Sequence, residues 1–279
     1  MITSRSSRDY TELAIDSFKR NTRLSDSDEF ILVDNDAELD YNIGNVFVNH
    51  YPKSFAQNCN SMLDYAGDRN LMLLSNDVAF TPGWNESVVQ MSNALIIPSC
   101  NQTHLYSKNN LRLKEVMHLS DYGNRHNDLN QISEEHIGKR YGFFENLLMS
   151  FYVFFLPSNV YQKLGRLDET FGVAGGEDID YRLRAIKAGI PVKYIGSSYL
   201  LHFAGKSSWN GPEQTEITQQ RNHRYFSVFS QKWGEDLANL CLVGGNPYSI
   251  IEKYNLESFI ENRDYSGAIK SLLNRTNRN

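Results

Sequence analysis

Short apolar runs, unbroken by any polar residue, recur through the first hundred positions: Phe30-Ile-Leu-Val33, Leu71-Met-Leu-Leu74 and Leu95-Ile-Ile-Pro98. Runs of this length and continuity belong to strands buried on both faces. Val46-Phe-Val48 is a shorter run of the same kind, and Met1 to Thr3 supplies a short apolar start. Helical stripes lie between them. Thr11 to Asn21 carries Leu13, Ala14 and Phe18 on one side, and Phe55 to Ala66 stops at Gly67. Glu86 to Met91 reads as a further helix after the turn Thr81-Pro-Gly-Trp84. The resulting β-α-β-β-α-β-α-β order predicts an α/β fold, an open and mostly parallel sheet with helices on both sides. Such sheets bind ligands at the carboxyl ends of their strands.

The second half is less regular. Ser99 to Gly142 is polar and rich in asparagine, a stretch long enough to imply a functional segment. Periodic structure resumes at Phe151-Tyr-Val-Phe-Phe-Leu156. Helices are predicted over Asn159 to Leu164 and about Glu177 to Ala188, stopped by Gly189, and strands over Val192 to Ile195 and Tyr199 to His202. From about Pro212 the chain reads as helical, with a break at Gly244-Gly-Asn-Pro247. The expected organisation is one domain over 1–234, with halves 1–98 and 99–234, followed by a C-terminal helical extension over 235–279.

A formal charge of −5 argues against nucleic acid as a partner. Three dispersed cysteines without a C-x-x-C pair read as free thiols in a reducing compartment. Residues 1–8 hold no apolar stretch, and Leu147 to Leu156 is interrupted by Ser150 and falls short of the ~20 residues of a membrane span. A cytoplasmic location is expected. Lys270, Arg275 and Arg278 read first as a solvated terminal helix and second as a peripheral contact with an anionic membrane.

Strand ends carry the candidate chemistry: Asp34-Asn35, Ser75-Asn76-Asp77, His202, and the helix start Gly175-Gly176-Glu177-Asp178-Ile179-Asp180. Each alone is more often a cap or a turn, and helix-start carboxylates are favoured by the dipole whatever their role. Asp178 with Arg182 and Asp180 with Arg184 share the i,i+4 spacing of a helical ion pair, so spacing does not say which carboxylate is free to react.

Taken in order, these segments resemble the inverting family 2 glycosyltransferases of the GT-A fold, in particular the rhamnosyltransferase-like branch. The likeness runs over roughly Ile2 to Gly234. It is carried by Ile31-Leu-Val-Asp34-Asn35, Ser54-Phe55-Ala56 through Asn60, Leu73-Leu-Ser75-Asn76-Asp77 with Thr81-Pro-Gly-Trp84, and Leu164-Gly165-Arg166-Leu167-Asp168-Glu169-Thr170-Phe171. Further on, it includes Gly176-Glu-Asp178-Ile-Asp180 through Gly189, His202 with Gly205-Lys-Ser-Ser-Trp209, and Arg221 to Gly234. The resemblance implies a nucleotide-diphosphate sugar donor, UDP- or dTDP-linked, held by Thr3, Arg5, Asp34, Asn60, Ser75, Asn76 and Asp77. It implies Mn²⁺ or Mg²⁺ on Asp77 and His202, with imidazole favouring Mn²⁺, and a glycan or lipid-linked glycan as acceptor. It assigns Asp178 as the base and Glu177 to orienting the acceptor or anchoring the helix start; residues 99–142 match none of its motifs and lie where acceptors are usually recognised, so they are expected to govern the acceptor.

This chain departs from the pattern at Ser54, in place of glycine, and at Ser75, where the first carboxylate of an Asp-x-Asp site is expected. Those two serines are the support for an alternative, a non-catalytic sugar- or nucleotide-binding protein on the same fold. A second alternative, a sugar nucleotidyltransferase, calls for a glycine-rich phosphate loop after the first strand, and Ser4-Arg-Ser-Ser-Arg8 has no glycine.

Overall fold

A computed structural model describes residues 1–3, 8–35, 37, 45–103, 112–206 and 215–276. Among them are the strands β1 (Ile31–Asp34), β2 (Asn45–Val48), β3 (Leu71–Leu74), β4 (Val78–Ala79), β5 (Leu95–Cys100), β6 (Phe143–Phe144), β7 (Val153–Leu156) and β8 (Val192–His202). The helices are α1 (Arg8–Asn21), α2 (Phe55–Ala66), α3 (Leu119–Gly123), α4 (His126–Lys139), α5 (Ser158–Leu164) and α6 (Glu177–Lys187). They continue with α7 (Thr215–Trp233), α8 (Glu235–Cys241), α9 (Pro247–Tyr254), α10 (Glu257–Glu261) and α11 (Tyr265–Thr276).

β1 and β2 pair in parallel. Residues 1–3 fill the gap between β1 and β3: Ile2 bridges Val33 and Ser75 in parallel, and Ile2 N donates to Leu74 O at 3.0 Å. The expected first strand is therefore a short bridging segment. Beyond β3 the order is β7, β5, β8, β4, with β6 beside β8. β7 is antiparallel to β3 and β5, whereas β5 and β8 are parallel. Among the longer strands β7 alone runs against the rest, which gives the mostly parallel sheet that the apolar runs imply.

Val192 to Ile195 and Tyr199 to His202 are one strand. Their register against β5 breaks between Pro98, paired with Ile195, and Ser99, paired with Tyr199. The extra residues 196–198 are held by Gly196 N donating to Gly142 O at 3.0 Å and by His136 Nδ1 at 2.7 Å from Gly196 O.

Ser54 has a structural reason to replace glycine. Its hydroxyl accepts from Gln57 N at 3.1 Å while Gln57 Oε1 accepts from Ser54 N at 2.9 Å, a reciprocal cap on α2. The helix predicted over Glu86 to Met91 shrinks to a single tight turn, Val88–Gln90. Val88 is buried there and Val89 is half exposed, so no apolar stripe exists to hold a longer helix. The polar segment after Ser99 contains α3 and α4, anchored by Leu129 and Ile132 against Tyr199, Leu201 and Phe203.

The C-terminal helices are not a detached tail. Leu237, Leu240, Ile250, Ile269 and Leu272 share one apolar cluster with Ile179, Leu183 and Ile186 of α6 and Phe229 of α7. Glu145 reinforces the join, accepting from Lys193 Nζ at 2.6 Å and Ser266 N at 2.7 Å. All three cysteines are free and buried. No helix among the described residues is long and apolar enough to cross a membrane.

Candidate active site

A cavity of about 800 Å³ opens at the strand ends, and Ser75, Asp77, His202, Glu177 and Asp178 all line it. Ser75 and Asp77 come from the turn between β3 and β4. His202 is the last residue of β8, paired with Val78. Glu177 and Asp178 open α6.

Asp77 is 1% exposed. Its Oδ2 accepts from Lys206 N at 3.0 Å, and its Oδ1 lies 3.5 Å from His202 Nε2 with no hydrogen-bond partner among the described residues. The His202 ring and its backbone are each held. It stacks on Tyr152 at 4.7 Å and 15°, and its backbone N donates to Asn101 Oδ1 at 2.8 Å. Burial pushes the imidazole pKa down, but the Asp77 charge and hydrogen bonds to Asp77 and Cys100 outweigh it and raise it to about 10. Burial likewise opposes the charge on Asp77, and the neighbouring imidazolium wins, holding the carboxyl below its usual range. Asp77 Oδ1, whose neighbour is the His202 ring at 3.5 Å, and His202 Nε2 thus face one cavity, and the ring nitrogen becomes a donor only on losing its proton. A divalent ion at this pair would have to displace that proton and take its remaining ligands from phosphate and water. Among the described residues no group of three or more His, Cys, Asp or Glu side chains is arranged to hold a metal, so the donors here number two.

The start of α6 is built differently. Asp178 is half buried, and its Oδ1 accepts from Ile179 N at 2.8 Å. Glu177 is 5% exposed, and its Oε2 has no partner among the described residues. Burial raises both carboxyls above their ordinary range, and the charge of Asp178 adds to the rise at Glu177. Asp180 is enclosed by Arg184 Nε at 3.0 Å, Lys232 Nζ at 2.7 Å and Trp233 Nε1 at 2.8 Å. Arg182 makes no ion pair among the described residues. It is fully buried and donates to the carbonyls of Leu147 and Asn146. The two carboxylates of equal spacing thus differ: Asp180 is paired with Arg184 and Lys232, whereas Arg182 makes no ion pair with Asp178 and acts on it only through its charge.

Gly175 and Gly176 have φ of +106° and +88°. A Cβ at Gly175 would meet the Tyr225 ring at 2.8 Å, and one at Gly176 the Phe171 ring at 2.8 Å. The groups packed against these glycines are the chain's own Tyr225 and Phe171.

Of the remaining predicted residues, Thr3, Asp34, Asn60 and Asn76 do not line the cavity. Thr3 and Asp34 are buried at the β1 end, where Asn35 N lies 3.4 Å from Thr3 Oγ1. Asn76 donates to Thr11 Oγ1 at 2.6 Å and ties α1 to the strand end. Asn60 donates to Leu167 O at 3.0 Å and Glu169 Oε1 at 2.7 Å, and accepts from Leu167 N at 2.8 Å, clamping that turn. Arg5 and the 207–209 part of the late loop lie outside the described residues.

The sequence reading passed over several lining residues, among them Tyr152, Arg221, Tyr225, the 146–150 loop, and Leu242, Val243 and Pro247. The Gly244-Gly-Asn-Pro247 break was the available sign of the last group. From the 99–142 region, Cys100, Gln102 and Thr103 reach the cavity among the described residues.

No protein-family model and no curated protein matches the chain. Among solved structures it is similar to GalNAc-T7 in complex with UDP, GalNAc and Mn²⁺, with a TM-score of 0.56 and 13% identity. The match covers 90% of this chain and 54% of that one, so this chain spans about half the length of that protein. At that identity the likeness is one of architecture, and the chain has the GT-A fold.

Proposed function

We propose that the chain is an inverting, metal-assisted glycosyltransferase of the family 2, rhamnosyltransferase-like type, acting on a UDP- or dTDP-sugar and a hydroxyl of a glycan or lipid-linked glycan. One observation carries the reading. A polar donor pair, Asp77 with His202, and an unneutralised carboxylate pair, Glu177 with Asp178, converge on one cavity from segments about a hundred residues apart.

In this reading Asp178 takes the proton of the acceptor hydroxyl as its oxygen forms a bond to the anomeric carbon. The bond from that carbon to the phosphate oxygen breaks on the opposite side, and the nucleoside diphosphate leaves with the electron pair. A base works best with a pKa near the operating pH, and burial moves Asp178 in that direction. Glu177, with one oxygen unpartnered, orients the acceptor. A divalent ion, Mn²⁺ or Mg²⁺, when bound at Asp77 and His202 supplies charge stabilisation to the departing diphosphate. Arg221 lines the same cavity and offers a second cation. Residues 1–98 hold the nucleotide through Asp34 and Thr3, 99–234 carry the base and acceptor, and 235–279 form an extension.

Thermal melting with UDP and dTDP, each with Mn²⁺ and with Mg²⁺, tests the donor half of this reading. A ligand at 100 times its Kd adds about 2.7 kcal/mol, a shift of several degrees. Asp34→Ala is expected to remove most of the shift, and Asp77→Asn its metal-dependent part. An unchanged shift in either variant removes that residue from the donor site.

A further inference from the structure

We propose that the cavity wall formed by the 146–150 loop and the α8–α9 connection is a preformed subsite for an amphipathic acceptor. The reacting hydroxyl sits at Asp178, and the apolar part lies against Leu148, Leu242, Val243 and Pro247. The assignment rests on the transferase reading for the hydroxyl and on the wall itself for the apolar part.

Charge is distributed unevenly around the cavity. Its ionisable acids and bases, Asp77, Glu177, Asp178, His202 and Arg221, come from the β3–β4 turn, α6, β8 and α7. The lining residues from 146–151 and 241–247 include no acid and no base. A phosphate, sulfate or carboxylate has no counter-charge on this wall. An alkyl or prenyl group finds a matching surface.

The wall also exposes aliphatic side chains where a chain normally hides them. Leu148 is 47% exposed and Val243 is 71% exposed, and both line the cavity. Single exposed apolar residues are common. Here two from segments nearly a hundred positions apart meet at one opening, next to the proposed base.

Their backbones are held from beneath. Arg182, fully buried, donates to the carbonyls of Asn146 and Leu147. Tyr225 Oη donates to Val243 O at 3.0 Å, and Gly245 N donates to Leu242 O at 3.1 Å. Gly245 lies so close to α8 that a Cβ there would sit 2.5 Å from Asn239 O. An apolar surface mounted on fixed backbone loses little freedom on binding, the usual condition for a specificity subsite.

The test uses the full chain with UDP and Mn²⁺ and two probes, n-octyl and methyl β-D-glucoside, with the octyl compound kept below its micelle-forming concentration. Titration calorimetry is expected to give at least tenfold tighter binding for the octyl glycoside. Val243→Asp and Leu148→Asp, at exposed positions where folding is undisturbed, are each expected to erase most of that preference while UDP affinity stays at the wild-type value. Equal binding of the two glycosides overturns the subsite. So does an octyl affinity unchanged in both variants, which would place the alkyl chain elsewhere. Failure of UDP to bind wild type, with the alkyl preference intact and lost in the variants, overturns the transferase reading and leaves the apolar subsite standing.

Discussion

On one face of α6, Asp180 meets Arg184, Lys232 and Trp233, each within 3.0 Å, and is completely buried. On the other face Asp178 is held by backbone donors, Ile179 N among them, and the arginine four residues on turns away to hold the 146–147 carbonyls. Two carboxylates with equal sequence spacing to an arginine thus have opposite fates. A buried charge surrounded by cations and a donor belongs to the framework, and losing it costs stability. A carboxylate without an ion pair, with its pKa raised by burial and facing a cavity, has the features of a proton-transfer group, the role proposed for Asp178.

The sharpest way to break this comparison is Asp178→Asn. Transfer is expected to fall by about 10²–10⁴-fold, the usual contribution of a positioned base, with UDP affinity and melting temperature unchanged. Single-turnover transfer and a donor titration measure both, and a wild-type rate would move the base to another residue. Asp180→Ala should do the reverse. Stripping Arg184, Lys232 and Trp233 of their common acceptor is expected to cost about 3–5 kcal/mol in urea unfolding, with the rate per folded molecule near wild type. Loss of transfer without loss of stability would cancel the distinction between the two faces.

The smallest effect is on pH dependence. Glu177 and Asp178 have folded pKa values above their ordinary 4.5 and 3.8. Between those ordinary values and the raised ones the folded state binds more protons than the unfolded chain, so stability rises as pH falls through that window. Glu177→Gln should flatten the slope, and a slope identical to wild type would mean that the carboxyl is not desolvated. Asp168 acts in the opposite sense. Bonds from Lys232 and Thr170 outweigh its burial and hold it at about 2, so its contribution is lost as pH falls below 3.8.

Much of this was legible in the chain, and the exceptions share a cause. β1, β3 and β5 announced themselves because strands buried on both faces need unbroken apolar runs. The α2 cap was legible in Ser54 and Gln57. Asp77, Glu177, Asp178 and His202 were legible because they fall at strand ends or at a helix start. Spacing alone could not separate Asp178 from Asp180, because their difference depends on where α7 brings Lys232 and Trp233 from more than fifty residues away. α4 escaped notice because its buried side is Leu129, Ile132 and Ser133 alone in a polar stretch. The apolar wall escaped for the same reason, since Leu148 and Val243 come to line one cavity only through the fold.

Residues 196–198 add no side chain to the cavity, yet they decide where His202 lands. Before them Ile195 faces Pro98, and after them Tyr199 faces Ser99. Strand side chains alternate, so deleting one residue there would draw the following chain back by about 3.3 Å and turn every later side chain to the other face. His202 would then point away from Asp77 although neither residue had changed. If His202 has the role proposed for it, the count of residues in this chemically silent stretch bears on the site as well, because it sets the register in which His202 meets Val78.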